Sequence, residues 1–352
     1  MKKLLAKVRG KKQPQEPQGR ITTDTLAEHR EKVLAGGRKF KYPVQYQRHR
    51  LVINTIIIAA AAIVIFIGLM WYLLYQAQNS SEFMYRVTKV VPVPVAIVDG
   101  EPVAYSDYLM QLRSNTHYLT EKEQVDIDTE DGKRQLEYVK SQSMHDAIAD
   151  AYAVKLAREN SISVTDAELE TFLKQQRRST DGSEITEATY NSVIQDYYGW
   201  SPDEYREAMK SKLLRQKVSF AVDQKAQTTA KTIEDKVKGG AKDLKKLADE
   251  LKAGAAGTVQ YTPGAWVPKT NRDGGLAAAA ANLKKGEISP TAIKTTSGDG
   301  YYYVQLLESN ETQVRYAYIH VPLTAFNNQL LNIETDGKLT KFIKVEALSN
   351  QG

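Results

Sequence analysis

Apolar positions along the chain change their period several times, and each change predicts a boundary. From Leu51 to Tyr75 no residue is charged and most are aliphatic. As a helix rising about 1.5 Å per residue, this run is long enough to cross a hydrocarbon core of roughly 30 Å. Val91 to Val95 alternates valine with proline and reads as extended chain, because each proline disfavours helix at the residue before it. Val95 to Val98, Asp99-Gly100 and Pro102 to Ala104 then predict a strand, a tight turn and a strand. Helical periodicity follows, with Leu136, Val139, Met144, Ala147, Ile148, Ala151 and Tyr152 on one apolar face.

Two helix starts are written in full. Thr165 and Glu168 make a capping box with Val164 and Leu169 as its hydrophobic staple; Ser201, Pro202 and Glu204 repeat it with Trp200 and Tyr205. Ser106 to about Lys225 is thus predicted to be a set of amphipathic helices. Ile233, Val237, Leu244, Leu247 and Leu251 continue the helical pattern, broken at Gly239-Gly240.

Charge orients the apolar run. Arg48, His49 and Arg50 abut its first end, whereas Trp71, Tyr72 and Tyr75 and then polar Gln76 to Ser81 follow the other. The positive-inside rule and the aromatic belt put the N-terminus in the cytoplasm and the bulk of the chain outside, a single-pass protein of the cell membrane. Of the 48 Lys/Arg and 42 Asp/Glu in 352 residues, 14 and 4 lie in residues 1–50, so the rest is mildly acidic despite a net charge of +6. That balance argues against nucleic acid as a partner. The tail 1–50 reads as largely disordered, attracted to an anionic leaflet or acting only as a topology signal. A short helix is predicted from the Thr25/Glu28 capping box to Gly36-Gly37. With no cysteine, disulfides, thiolate zinc sites and a thiol nucleophile are excluded.

The run VAIVDGEPVAYSDYLMQLR from Val95, then AIADAYAVKLARENSISVTDAELETFL, then YYGWSPDEYREAMKSKLLRQKV to Val218, resembles the N-terminal chaperone module of the SurA and PrsA families of extracytoplasmic foldases. The resemblance implies a helical cradle with a small strand pair that holds unfolded polypeptide, usually beside a parvulin-type prolyl isomerase domain. Thr258 to Glu308 resembles the C-terminal half of such a domain, through Trp266, Pro268 and Lys269, then NLKKGEIS from Asn282, then GYYYVQL from Gly300.

The departures bear on catalysis. The family's first strand, with its histidine, is missing before Thr228; a similar strand follows instead at Val314 to Val321, with Tyr318 at the histidine position. Tyr302 takes the second histidine's place, and the apolar pocket positions fall on Arg272, Leu276 and Ala281. The order predicts a circular permutation in which Val314 to Val321 lies antiparallel to Gly300 to Leu307; a truncated second repeat is the alternative. No catalytic residue is assigned beyond those degenerate positions. Client contact is expected at Trp266, Leu276, Tyr198, Trp200 and Tyr205, with core packing as the competing role for the aromatics.

Other constellations yield less. Asp126, Asp128, Glu130 and Glu137 have calcium-loop spacing, but Gly132 stands one place late for the turn. His29, His49, His117, His145 and His320 are scattered, so no metal and no cofactor is expected.

The chain is thus expected to be a transmembrane helix plus extracytoplasmic α+β: tail 1–50, span 51–75, linker 76–91, helical chaperone module 92–225, parvulin-like domain 226–325 and a C-terminal extension 326–352. Its expected role is a membrane-anchored chaperone or foldase for unfolded or nascent exported proteins. Alternatives are a working prolyl isomerase and an envelope scaffold with one fixed partner; clients and oligomeric state stay open.

Overall fold

A computed structural model describes residues 22–178, 183–254 and 259–346. The chain divides into two units, one ending at Tyr72 and one starting at Leu73. In the first, helix α1 (Thr23–Trp71) starts at Thr22, whose cap is reciprocated by Thr25. The predicted start at Thr25 is therefore three residues late. Gly36 and Gly37 do not stop the helix either. Neither adopts the positive φ that ends a helix at glycine, so they stay in the right-handed run and only weaken it. Within α1, His49–Gln76 marks the run long and apolar enough to span a membrane, continuing into a π-turn at Tyr72–Gln76. Its isoleucines and valines, Ile56 to Ile67 among them, are exposed. Of the tail 1–50 read as largely disordered, the part from Thr23 onward is helical in α1, and residues 1–21 lie outside the described residues.

In the second unit, the segment 76–91 read as a linker carries α2 (Glu82–Val90). Ser81 caps it, and Met84, Tyr85 and Thr88 are buried. β1 (Pro94–Val98) and β2 (Glu101–Ala104) form the predicted hairpin; Asp99 and Gly100 have φ of 46° and 83°, the left-handed pair that a tight two-residue hairpin turn requires. The helices are α3 (Tyr105–His117), α4 (Glu130–Glu159), α5 (Asp166–Gln176), α6 (Glu187–Tyr198) and α7 (Pro202–Val222). Both capping boxes are in place: Glu168 N donates to Thr165 Oγ1 at 3.2 Å, and Glu204 N to Ser201 Oγ at 3.3 Å. Tyr105, Tyr108, Leu109 and Met144 fill the core between α3 and α4.

An α+β domain follows: α8 (Gln224–Lys238), α9 (Leu244–Gly254), β3 (Gln260–Pro268), α10 (Leu276–Ala281), β4 (Ile293–Lys294), β5 (Gly300–Ser309) and β6 (Gln313–Pro322). Its sheet has the order β3-β6-β5-β4, antiparallel throughout, so β6 lies beside β5 with Tyr302 opposite His320. Alternation assigns the faces: Tyr301, Tyr303, Ile319 and Val321 pack under α8 and α9, and Tyr302, Val304, Leu306 and Tyr316 under α10.

The segment after 325 returns to the helical module. α11 (Ala325–Thr335) packs Phe326 against Tyr152 of α4, with ring centroids 5.6 Å apart. β7 (Leu339–Lys341) then pairs with β1, giving a sheet of order β2-β1-β7. The α+β domain is therefore inserted between α7 and α11. One buried carboxylate ties both ends of the insertion: Asp223 accepts Ala226 N at 2.9 Å as the cap of α8, and Thr324 N at 2.7 Å and Ala325 N at 3.0 Å where the chain comes back.

Candidate functional site

On the α10 face of the sheet the polar residues of β5 and β6 converge. Tyr302 and Tyr318 have ring centroids 5.7 Å apart, and His320 stacks on Tyr302 at 4.3 Å and 11°. The Tyr302 hydroxyl donates to Asp299 at 2.7 Å, and Tyr316 donates to Asp273 at 2.5 Å. Burial and these carboxylates raise both phenols above their ordinary range, so both are neutral hydrogen-bond donors. Burial alone would raise the Asp299 carboxyl, but hydrogen bonds from Ser297 and Tyr302 hold it below the usual value. His320 Nε2 is buried and, among the described residues, has no hydrogen-bond partner; it lies 3.8 Å from Asp299. This arrangement orders neutral phenols around the Asp299 and Asp273 carboxylates. Leu276 is only 4% exposed, part of the core beneath α10, and Ala281 packs half-buried against the same core.

Arg272 turns the other way and donates to Gln176 O of α5 at 3.4 Å, across a crevice of about 1150 Å³ between the helical module and the α+β domain. Its apolar surface comes from Ile162, Phe172, Leu213, Phe220 and Tyr301. Its charged lining is Arg178, Lys217, Lys269, Arg272 and Lys294, and among the described residues no Asp or Glu lines it. A joint closes one end: Gln216 of α7 donates to Thr296 O and Ser297 O, both at 3.0 Å. Gly298 (φ 69°) permits that approach, since a Cβ there would lie 2.4 Å from the Gln216 side chain. Gly274 (φ 74°) similarly lets Thr295 close on the crevice wall.

The remaining expected contact residues fall in two places. Trp266 on β3 is 43% exposed and stands apart from both sites. Tyr198, Trp200 and Tyr205 do come together, with Tyr198 stacked on Trp200 at 5.2 Å. Trp200 and Tyr205 are nevertheless buried. Trp200 Nε1 donates to Met110 O at 3.3 Å and the Tyr205 hydroxyl meets Tyr190 at 2.7 Å, so the staple tightens the α3, α6 and α7 packing. Only Tyr198 offers a ring to solvent. Sequence reading passed over Arg178, Lys294 and Gln216 because their meeting depends on the insertion, which no local spacing encodes.

Among the described residues no group of three or more His, Cys, Asp or Glu could hold a metal ion. The acidic loop instead builds the entry to α4. Thr129 Oγ1 accepts Gly132 N at 3.0 Å, and a Cβ at Gly132 would collide with the Asp126 carbonyl at 2.0 Å.

The helical module defines the class of protein. Residues 45–219, from within α1 to near the end of α7, match the family described as the SurA-like N-terminal domain. The chain thus carries a SurA-like N-terminal domain, and in that module it is SurA/PrsA-like. The α+β domain and the returning segment α11–β7 lie outside the match. No curated protein matches the chain.

Proposed function

We propose that this protein is a membrane-anchored chaperone that binds unfolded or nascent exported polypeptides, with its N-terminus in the cytoplasm and the residues after the span 51–75 outside. The observation that carries the proposal is the crevice between the SurA-like module and the α+β domain. At about 1150 Å³ it exceeds the roughly 300–1,000 Å³ of small-molecule sites, and its apolar wall suits a stretch of unfolded chain. Charge asymmetry about the apolar run and its exposed aliphatic surface support the anchoring and its direction. The test uses the full chain in detergent micelles with an unrelated aggregating protein. Suppression of light scattering at near-equimolar ratio is expected; failure at about tenfold excess would overturn the proposal.

A second activity, prolyl isomerisation, draws support from the sheet order β3-β6-β5-β4, which suits a parvulin-like domain whose first strand has moved to its end. Such a site works by seating the proline ring in an apolar pocket and favouring the twisted amide. Here Tyr302 is committed to Asp299, and Leu276 is closed into the core. Isomerase activity should therefore be weak. A proline-limited refolding assay on the full chain beside the Tyr302→His/Tyr318→His variant checks this, and acceleration by the wild type matching an ordinary parvulin would refute it.

A further inference from the structure

We infer that the crevice selects for charge as well as apolarity: it takes extended polypeptide segments in which acidic side chains neighbour apolar ones. The inference rests on the chaperone proposal and names the substrate class of that same crevice. Five basic side chains from four separate stretches of chain line it, with no carboxylate between them among the described residues. Lys217 is engaged with Glu168 at 2.5 Å. Arg178, Lys269, Arg272 and Lys294 have no carboxylate within salt-bridge distance among the described residues.

Elsewhere in the second unit the basic side chains are commonly matched, as Arg215 is by Asp146 and Asp150, or Lys155 by Asp99. Leaving four like charges around one concave wall costs self-repulsion, which a bound carboxylate relieves. Lys294 holds its ammonium 4.7 Å from the Phe220 ring and 5.6 Å from the Tyr301 ring, within reach of both the apolar wall and the opening. An acidic residue beside an aromatic one can therefore meet a cation and an apolar surface at adjacent positions. A polyanion without apolar groups would satisfy the cations and leave Ile162, Leu213 and Phe220 facing water, so peptide is the better fit.

The probe is a labelled peptide of about 15 residues, roughly 50 Å extended, built from phenylalanine, alanine and glutamate, beside versions with glutamine or lysine for glutamate. Anisotropy is read with the micellar full chain at about 0.05 M and about 0.3 M salt. The glutamate peptide is expected to bind about tenfold tighter than the glutamine one at low salt, and the lysine one weaker still. Lys269→Glu/Arg272→Glu should abolish the preference. Lys294→Gln, a milder change should the double variant misfold, should reduce it severalfold. Lys231→Glu, exposed on α8 away from the crevice lining, should leave it intact. Equal affinities for the three peptides, absence of binding, or a preference that survives the double reversal would overturn the inference. So would inorganic polyphosphate competing as well as the glutamate peptide, which would mark a polyanion site. Suppression of aggregation without any charge preference would strike this inference alone; loss of suppression by the wild type would strike the chaperone proposal.

Discussion

At the scale of single residues, the most consequential is Asp150 on α4. Burial raises its carboxyl to about 6 from 3.8; Arg215 opposes the rise, and Asp146 and Asp107 add to it. Between those two values the folded protein binds more protons than the unfolded chain, so stability falls as pH rises through the window and levels off above it. Asp150→Asn should flatten that slope, measured as the urea midpoint at a series of pH values; an unchanged slope would place its origin elsewhere. Asp223 acts on the backbone. Its carboxylate satisfies three backbone N–H groups at a buried crossing, and Asp223→Ala leaves all three without that partner. A loss of about 2–4 kcal/mol in unfolding free energy is expected, well above that of an ordinary cap. Neither role is visible in the sequence: Asp150 is one of several carboxylates along a long helix, set in the run AIADAYAV, and Asp223 precedes an ordinary glutamine.

Among the elements, those whose determinants lie within a few residues were legible and the others were not. The hairpin was, because Asp99-Gly100 can adopt two successive positive φ angles and the flanking valines alternate. So were α5 and α7, whose starts are capping boxes. Thr165→Ala and Ser201→Ala should each cost about 1 kcal/mol in urea unfolding, and wild-type stability in both would mean that neither cap matters. Helix α2 was missed because nine residues between a polar turn and a proline run offer only Met84, Tyr85 and Thr88 as a buried face. α1 outran its prediction because glycine is a stop only where the backbone turns left-handed. The crevice was illegible for a related reason. Arg178 and Lys294 sit on segments brought opposite each other by the insertion, so their approach is a property of topology rather than of any motif.

For the whole molecule, the insertion sets the logic of stability. The helical module is completed by residues from both sides of the α+β domain: β7 adds to β1, Phe342 N donates to Val95 O at 2.9 Å, and Ser141 Oγ donates to Glu346 O at 2.6 Å. Removing residues 324–352 should expose β1 as an unpaired edge and uncover Tyr152. The helical module is then expected to become protease-sensitive, while the contiguous α+β segment 224–323 resists; equal resistance of both in limited proteolysis would contradict this. The same long-range closure imposes a schedule on the chain's own birth. The ribosome delivers the strand that seals the first hairpin only after the inserted domain has everything it needs to fold. Until that strand emerges, the newborn protein carries a finished insert on an open frame, with its own β1 edge as vulnerable as the chains it is proposed to guard.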